Sequence, residues 1–142
     1  MSNILFFLKP KSEIAYIKVE DTLRQAIQKM EYHKYSSIPI LNKDGKYIGT
    51  ITEGDLLWGI KNKYNLSLKE AEYIPITEID RKLDYLAVRA DANMEDLMLR
   101  AMDQNFVPVI DDQENFIGII TRKDIIGYCY NKLNEQKQGE EK

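Results

Sequence analysis

The chain has 142 residues, the size of one compact domain, with 44% apolar side chains, 30% charged ones and a net charge of −3. That composition suits a folded domain able to bury about two-thirds of its unfolded surface. It excludes a global electrostatic pull towards nucleic acid, so no DNA partner is expected and any anion site must be local. The longest apolar run near the start, Ile4 to Leu8, is far too short to span a bilayer and lacks the flanks of a secretory signal. The single Cys129 admits no internal disulfide, and no metal-binding cluster is spelled out. The expectation is a cytoplasmic protein with no membrane segment and no metal site.

In chain order, Ile4 to Leu8 and the Pro10 region predict a short arm and a turn, followed by a strand over Ala15 to Val19. Thr22 and Gln25 have capping-box spacing, and Leu23, Ile27 and Met30 mark one face of a helix ending near His33. Ile38 to Leu41 reads as a strand in which Pro39 argues for a start or edge position. Asn42 to Gly45 is a hairpin turn, Tyr47 to Thr52 the return strand, and Asp55 to Lys61 a second helix. A polar connector follows. Then Leu86 to Val88, the Met94/Leu97/Met98/Ala101 helix, Val107 to Ile110, Phe116 to Thr121 and the helix from Asp124 to Leu133 replay the same order.

The register makes the repeat specific. Placing Pro39 on Pro108 aligns Ile38–Ile60 with the residues 69 later without a gap. Pro39, Ile48, Gly49, Ile51, Thr52 and Asp55 recur as Pro108, Ile117, Gly118, Ile120, Thr121 and Asp124. A unit of about 60 residues is marginal alone and leaves one sheet face to cover. The fold class expected is therefore α+β: tandem β-α-β-β-α repeats packed sheet to sheet with pseudo-twofold symmetry. The organisation is an N-terminal arm and first repeat over 1–61, a connector over 62–80, a second repeat over 81–133 and a flexible tail over 134–142.

No Ser/His/acid set, metal-ligand cluster or Gly-x-x-x-x-Gly-Lys loop is present, so the chain does not read as an enzyme. His33 reads as a surface residue at a helix end. Thr-x-x-Asp is also the spacing of an ordinary capping box, and helix capping by itself would select it.

The doubled pattern of apolar-Pro-apolar-apolar, a turn, then apolar-Gly-x-apolar-Thr-x-x-Asp (Ile38 to Asp55, Val107 to Asp124) resembles the cystathionine β-synthase (CBS) domain pair, or Bateman module. The resemblance covers residues 12–133, as in a stand-alone pair. It implies a regulatory, ligand-sensing module, with no required cofactor. The implied ligand is an adenine nucleotide or other adenosyl compound (AMP, ADP, ATP, S-adenosylmethionine, cyclic di-AMP) in clefts between the repeats. It further implies a homodimer and an unidentified protein target. Carried over residue by residue, the first cleft would combine Ile119, Thr121, Arg122, Lys123 and Asp124 with Pro10, Ser12, Ala15, Tyr16, Ile17, Tyr35, Ser36 and Ser37. The second, weaker cleft would combine Thr50, Thr52 and Asp55 with Tyr85, Leu86, Asn105 and Phe106.

In that reading the Asp carboxylate accepts from ribose hydroxyls. The Thr hydroxyl and helix N-terminus face phosphate, with Arg122 and Lys123 adding charge-assisted contacts. Glu53 and Gly54 stand in the place of that basic pair in the second cleft, and Glu78, Asp80 and Asp84 lie near it against Arg81 and Lys82. Phosphate is therefore expected in the first cleft. The alternative is a purely structural or protein-interaction dimer with no small-molecule ligand, whose Thr-x-x-Asp turns are only helix caps.

Overall fold

The computed structural model describes residues 3–61, 70–81 and 84–140. Part of the connector (62–69) and Lys82 lie outside the described residues. The regular elements are β1 (Lys9–Pro10), β2 (Ile17–Lys18), α1 (Leu23–His33), β3 (Ser37–Leu41), β4 (Tyr47–Thr52), α2 (Glu53–Gly59), β5 (Val88–Arg89), α3 (Met94–Ala101), β6 (Phe106–Ile110), β7 (Phe116–Thr121) and α4 (Arg122–Glu140).

Local chemistry sets the helix starts. Thr22 Oγ1 accepts from the Gln25 amide at 3.2 Å while Gln25 Oε1 accepts from the Thr22 amide at 2.8 Å, which satisfies two otherwise orphaned donors. Asn93 and Asp96 do the same for α3. Leu23, Ala26 and Met30 carry α1 into the first core, and Met94 and Leu97 carry α3 into the second. The last helix continues to Glu140, beyond the Leu133 end that the sequence pattern predicts. Residues 134–138 hold Gln, Glu and Lys with no Gly or Pro, so nothing there breaks the helix.

The strands form two sheets, ordered β2-β3-β4 and β1-β7-β6-β5. In each repeat a short parallel strand and a long antiparallel hairpin flank one centre strand, β3 or β6. The edge position predicted for Pro39 is not observed, since β3 is the middle strand. β2 pairs only with Ile40 and Leu41, so the missing N–H of Pro39 leaves no gap in that ladder. Pro108 is accommodated in the same way beside β5.

Each core is closed by the segment that leads into the other repeat. Ile4, in a 3₁₀ turn at the start of the chain, is fully buried among Val88, Leu97, Val107 and Ile120. Ala71, Ile76 and Ile79, which precede the second repeat, pack into the first core with Leu23 and Ile51. The arm, adjacent in sequence to the first repeat, thus joins the second sheet as β1. Gly118 permits this, because a Cβ there would collide with the Lys9 carbonyl.

Equivalent residues of the two repeats meet on the pseudo-twofold axis. Asn105 Nδ2 donates to Ser36 Oγ at 3.2 Å, the Tyr47 and Phe116 rings stack with centroids 6.2 Å apart, and Lys46 Nζ donates to Asn115 Oδ1 at 3.2 Å. The members of each pair are separated by the repeat offset itself. Around the axis, Leu41, Tyr85, Phe106, Phe116 and Ile119 form the central cluster between the sheets. At one end, the Asn115 amide, with further bonds from Gln113 and the Asn115 side chain, holds the Asp111 carboxyl below its usual pKa range.

Candidate functional site

Where β7 passes into α4, Thr121 Oγ1 accepts from the Asp124 amide at 3.3 Å, so the hydroxyl caps the helix as its spacing requires. The Asp124 carboxylate is half-buried, and it makes no hydrogen bond or ion pair among the described residues. It stands at the N-terminus of a helix running from Arg122 to Glu140, where the backbone N–H groups favour negative charge. Lys123 and Asp124 border an open groove of about 750 Å³ that Phe6, Phe7 and Tyr128 also line.

Of the segments expected to complete the first cleft, β1 lies on β7, whereas Ser36 and Ser37 lie at the start of α2: the Glu53 amide donates to the Ser36 carbonyl and Ser37 pairs with Thr52. Pro10 pairs with Gly118 on β7, and Ser12 follows in an exposed 3₁₀ turn. The Ala15 amide donates to the Tyr35 hydroxyl at 3.4 Å, and Ser36 is held by Asn105. The Tyr16 carbonyl accepts from Lys29 Nζ at 3.0 Å, and Lys11 Nζ lies 5.3 Å from the centre of the Tyr16 ring. Ala15, Tyr16, Tyr35 and Thr121 are half-buried, and Ser36 and Lys123 are exposed.

Four members of the expected set differ. The Ile17 side chain is fully buried in the first core, so only its backbone can reach a ligand. Ser37 and Ile119 are likewise buried, Ile119 in the central cluster. Arg122 directs its Nε to the carbonyls of Ala101 and Gln104, at 2.8 and 2.9 Å. A cation at the carbonyl end of α3 is well placed electrostatically. That engagement makes Lys123 the open cation of the basic pair.

The residues assigned to the second cleft are largely bonded to other parts of the chain. Thr52 and Asp55 form a complete capping box, with the Thr52 amide donating to Asp55 Oδ2 at 3.0 Å and the Asp55 amide to Thr52 Oγ1 at 3.1 Å. Asp55 is 5% exposed and Thr50 0%. The Tyr47 hydroxyl bridges Thr50 Oγ1 at 2.7 Å and the Tyr85 carbonyl at 2.6 Å. Burial raises the pKa of that phenol well above its ordinary value, so it stays a neutral donor. The Tyr85 hydroxyl accepts from the Asn105 amide, and its ring meets Phe106 edge-on at 5.0 Å. Gln104 clamps Leu86 with bonds to both its amide and its carbonyl. Asn105 and Phe106, however, lie beside the other turn, where Phe106 pairs with Thr121 and the Arg122 amide donates to the Asn105 carbonyl.

Tyr47 and Gln104 are the residues that sequence reasoning missed. A signal existed at the first, since Tyr47 aligns with Phe116 and is the repeat's one aromatic pair that differs by a hydroxyl. Nothing in the pattern marks Gln104. Among the described residues no cluster of three His, Cys, Asp or Glu side chains could hold a metal ion, and no helix is long and apolar enough to cross a membrane.

A doubled α+β unit, with a strand-to-helix Thr-x-x-Asp turn in each half and an axis between the sheets, defines a tandem-repeat module. The family model for the CBS domain matches residues 7–62 and 76–131, and the chain belongs to that family. An uncharacterized protein of Methanocaldococcus jannaschii is 26% identical over 128 residues, covering 82% of this chain and 45% of the relative. A second uncharacterized protein of that organism is 28% identical, covering 89% of this chain and 98% of the relative. The chain thus spans under half of one curated relative and nearly all of the other. The crystal structure of CbpB in complex with c-di-AMP superposes with a TM-score of 0.80 at 27% identity, covering 97% of this chain and 91% of that one.

Proposed function

We propose that this chain is a ligand-sensing regulatory module, not an enzyme, that binds an adenosyl compound in its first cleft. The observation that carries the reading is the contrast between two equivalent carboxylates. Asp55 is buried and engaged in its own helix cap, whereas Asp124 is half-buried, its carboxylate without a partner among the described residues, at a helix N-terminus beside the exposed Lys123. An acceptor-only group in that position suits a pair of ribose hydroxyls. The likeness to CbpB, a protein solved with c-di-AMP, supports an adenine-containing ligand, and cyclic di-AMP is a candidate beside AMP, ADP and ATP.

Signalling would follow from ligand contacts that differ between arrangements of the two repeats, since a ligand shifts an equilibrium only by its differential affinity. The contacts on the axis, Ser36 with Asn105 and Lys46 with Asn115, are the ones such a shift would strain. Exposed Phe6, Leu57, Trp58, Ile126, Tyr130 and Leu133 favour a homodimer, which would cover part of that apolar surface, in the cytoplasm. Calorimetric titration with AMP, ADP, ATP, S-adenosylmethionine and cyclic di-AMP is the test. At least one is expected to bind with a micromolar or lower Kd, and no heat from any of them would leave the structural-dimer reading in its place.

A further inference from the structure

The two repeats differ in what lies on the outer edge of their return strands, β4 and β7. Val88 pairs with Val109 as Ile17 pairs with Ile40, so upstream of the centre strands Arg81 and Asp84 fall opposite Pro10 and Glu13. Their role follows from the sheet edges. The outer edge of β7 is covered by β1, whose Lys9 pairs with Ile119. Among the described residues the equivalent edge of β4 has no covering strand, and the Asp84 side chain bonds to it instead. Asp84 Oδ1 accepts from the Thr50 amide at 2.8 Å, and Arg81 Nε holds the same oxygen at 3.1 Å. Both side chains lie so close over Gly49 that a Cβ there would collide with each. The Asp84 side chain is nevertheless 40% exposed, so its charge faces outward beside Thr50. A second anion brought there meets a like charge that is already fixed by two bonds.

We infer that Asp84, positioned by Arg81, decides which cleft accepts an anionic adenosyl ligand: it closes the second cleft, so the chain takes one ligand, not two. This rests on the ligand-binding role proposed above, and it makes the functional asymmetry of the repeat a property of two side chains. Truncating both side chains, Arg81→Ser with Asp84→Ala, should open a second site.

The test counts bound AMP and cyclic di-AMP per chain by equilibrium dialysis for four proteins. The native chain is expected to bind one ligand, the Arg81→Ser/Asp84→Ala variant two, Asp124→Ala none, and the combined triple variant one. A double variant that binds no more than the native chain overturns the inference and leaves the first-cleft reading intact. If the native chain binds neither probe, that reading fails, and the inference then stands only if the double variant binds one. Asp84→Asn guards against a folding defect, because it keeps an acceptor for the Thr50 amide and removes only the charge. It is expected to bind a second ligand at least tenfold more tightly than the native chain does, and no gain in a variant of native melting temperature counts against the inference.

Discussion

Asp124→Ala is expected to weaken binding of the adenosyl ligand about 100-fold while leaving the melting temperature close to native. The carboxylate has no partner in the folded chain among the described residues, so its removal breaks no intramolecular bond. Hydrogen bonds to a charged acceptor contribute about 1.5–3 kcal/mol each, so losing two costs at least ~3 kcal/mol, or roughly two decades of affinity. Asp55→Ala is expected to give the opposite pair of results. Its carboxylate caps α2 from a buried position, and losing such a cap costs ~1–2 kcal/mol of stability with no change in affinity. Calorimetric affinities and thermal melts of both variants would check this. Equal effects of the two substitutions on binding would sink the asymmetric account.

Ile4→Ala is expected to destabilise the whole fold by ~3 kcal/mol, which corresponds to a drop of roughly 10 °C in melting temperature. Ile4 is fully buried against Val107, Ile120 and Ile125, and truncation would leave a cavity that β1 pairing cannot close. The neighbouring Phe6→Ala, at an 87% exposed position, should stay within about 0.5 kcal/mol in the monomer. Urea denaturation at low protein concentration, where a dimer contributes least, separates the two. A native-like midpoint for Ile4→Ala would show that the arm is not part of the second core.

The repeat was legible because its marks are local. The Thr22 and Thr52 caps, the hairpin turns and the apolar-Gly-x-apolar strands each follow from a few neighbouring residues, and the structure forms them where their spacing puts them. Pro39 misled because edge preference is a statement about neighbours, and the shortness of β2 cannot be read from β3. The crossing of the arm onto the second sheet was out of reach for the same reason: Ile4 is apolar in either packing, and only the long-range pairing of Lys9 with Ile119 decides between them. Arg122 illustrates the limit at the site. Its charge is visible in the sequence, but the carbonyls of Ala101 and Gln104 that engage its Nε lie on another helix and loop.

The asymmetry of the clefts was visible as charge, in Glu53-Gly54 against Arg122-Lys123, yet the structure rests it on different residues. Tyr47 and Asp84 bond to Thr50, Tyr47 also to the Tyr85 carbonyl, and the Glu53 side chain is exposed.

The central claim, one adenosyl ligand held at the start of α4, is tested most directly by backbone amide chemical shifts recorded while AMP or cyclic di-AMP is added. The expected shifts fall on Ala15 to Ile17, Ser36 and Thr121 to Asp124, with Thr50 to Asp55 unmoved. Shifts centred on Thr50 to Asp55, or none at either turn, would contradict it.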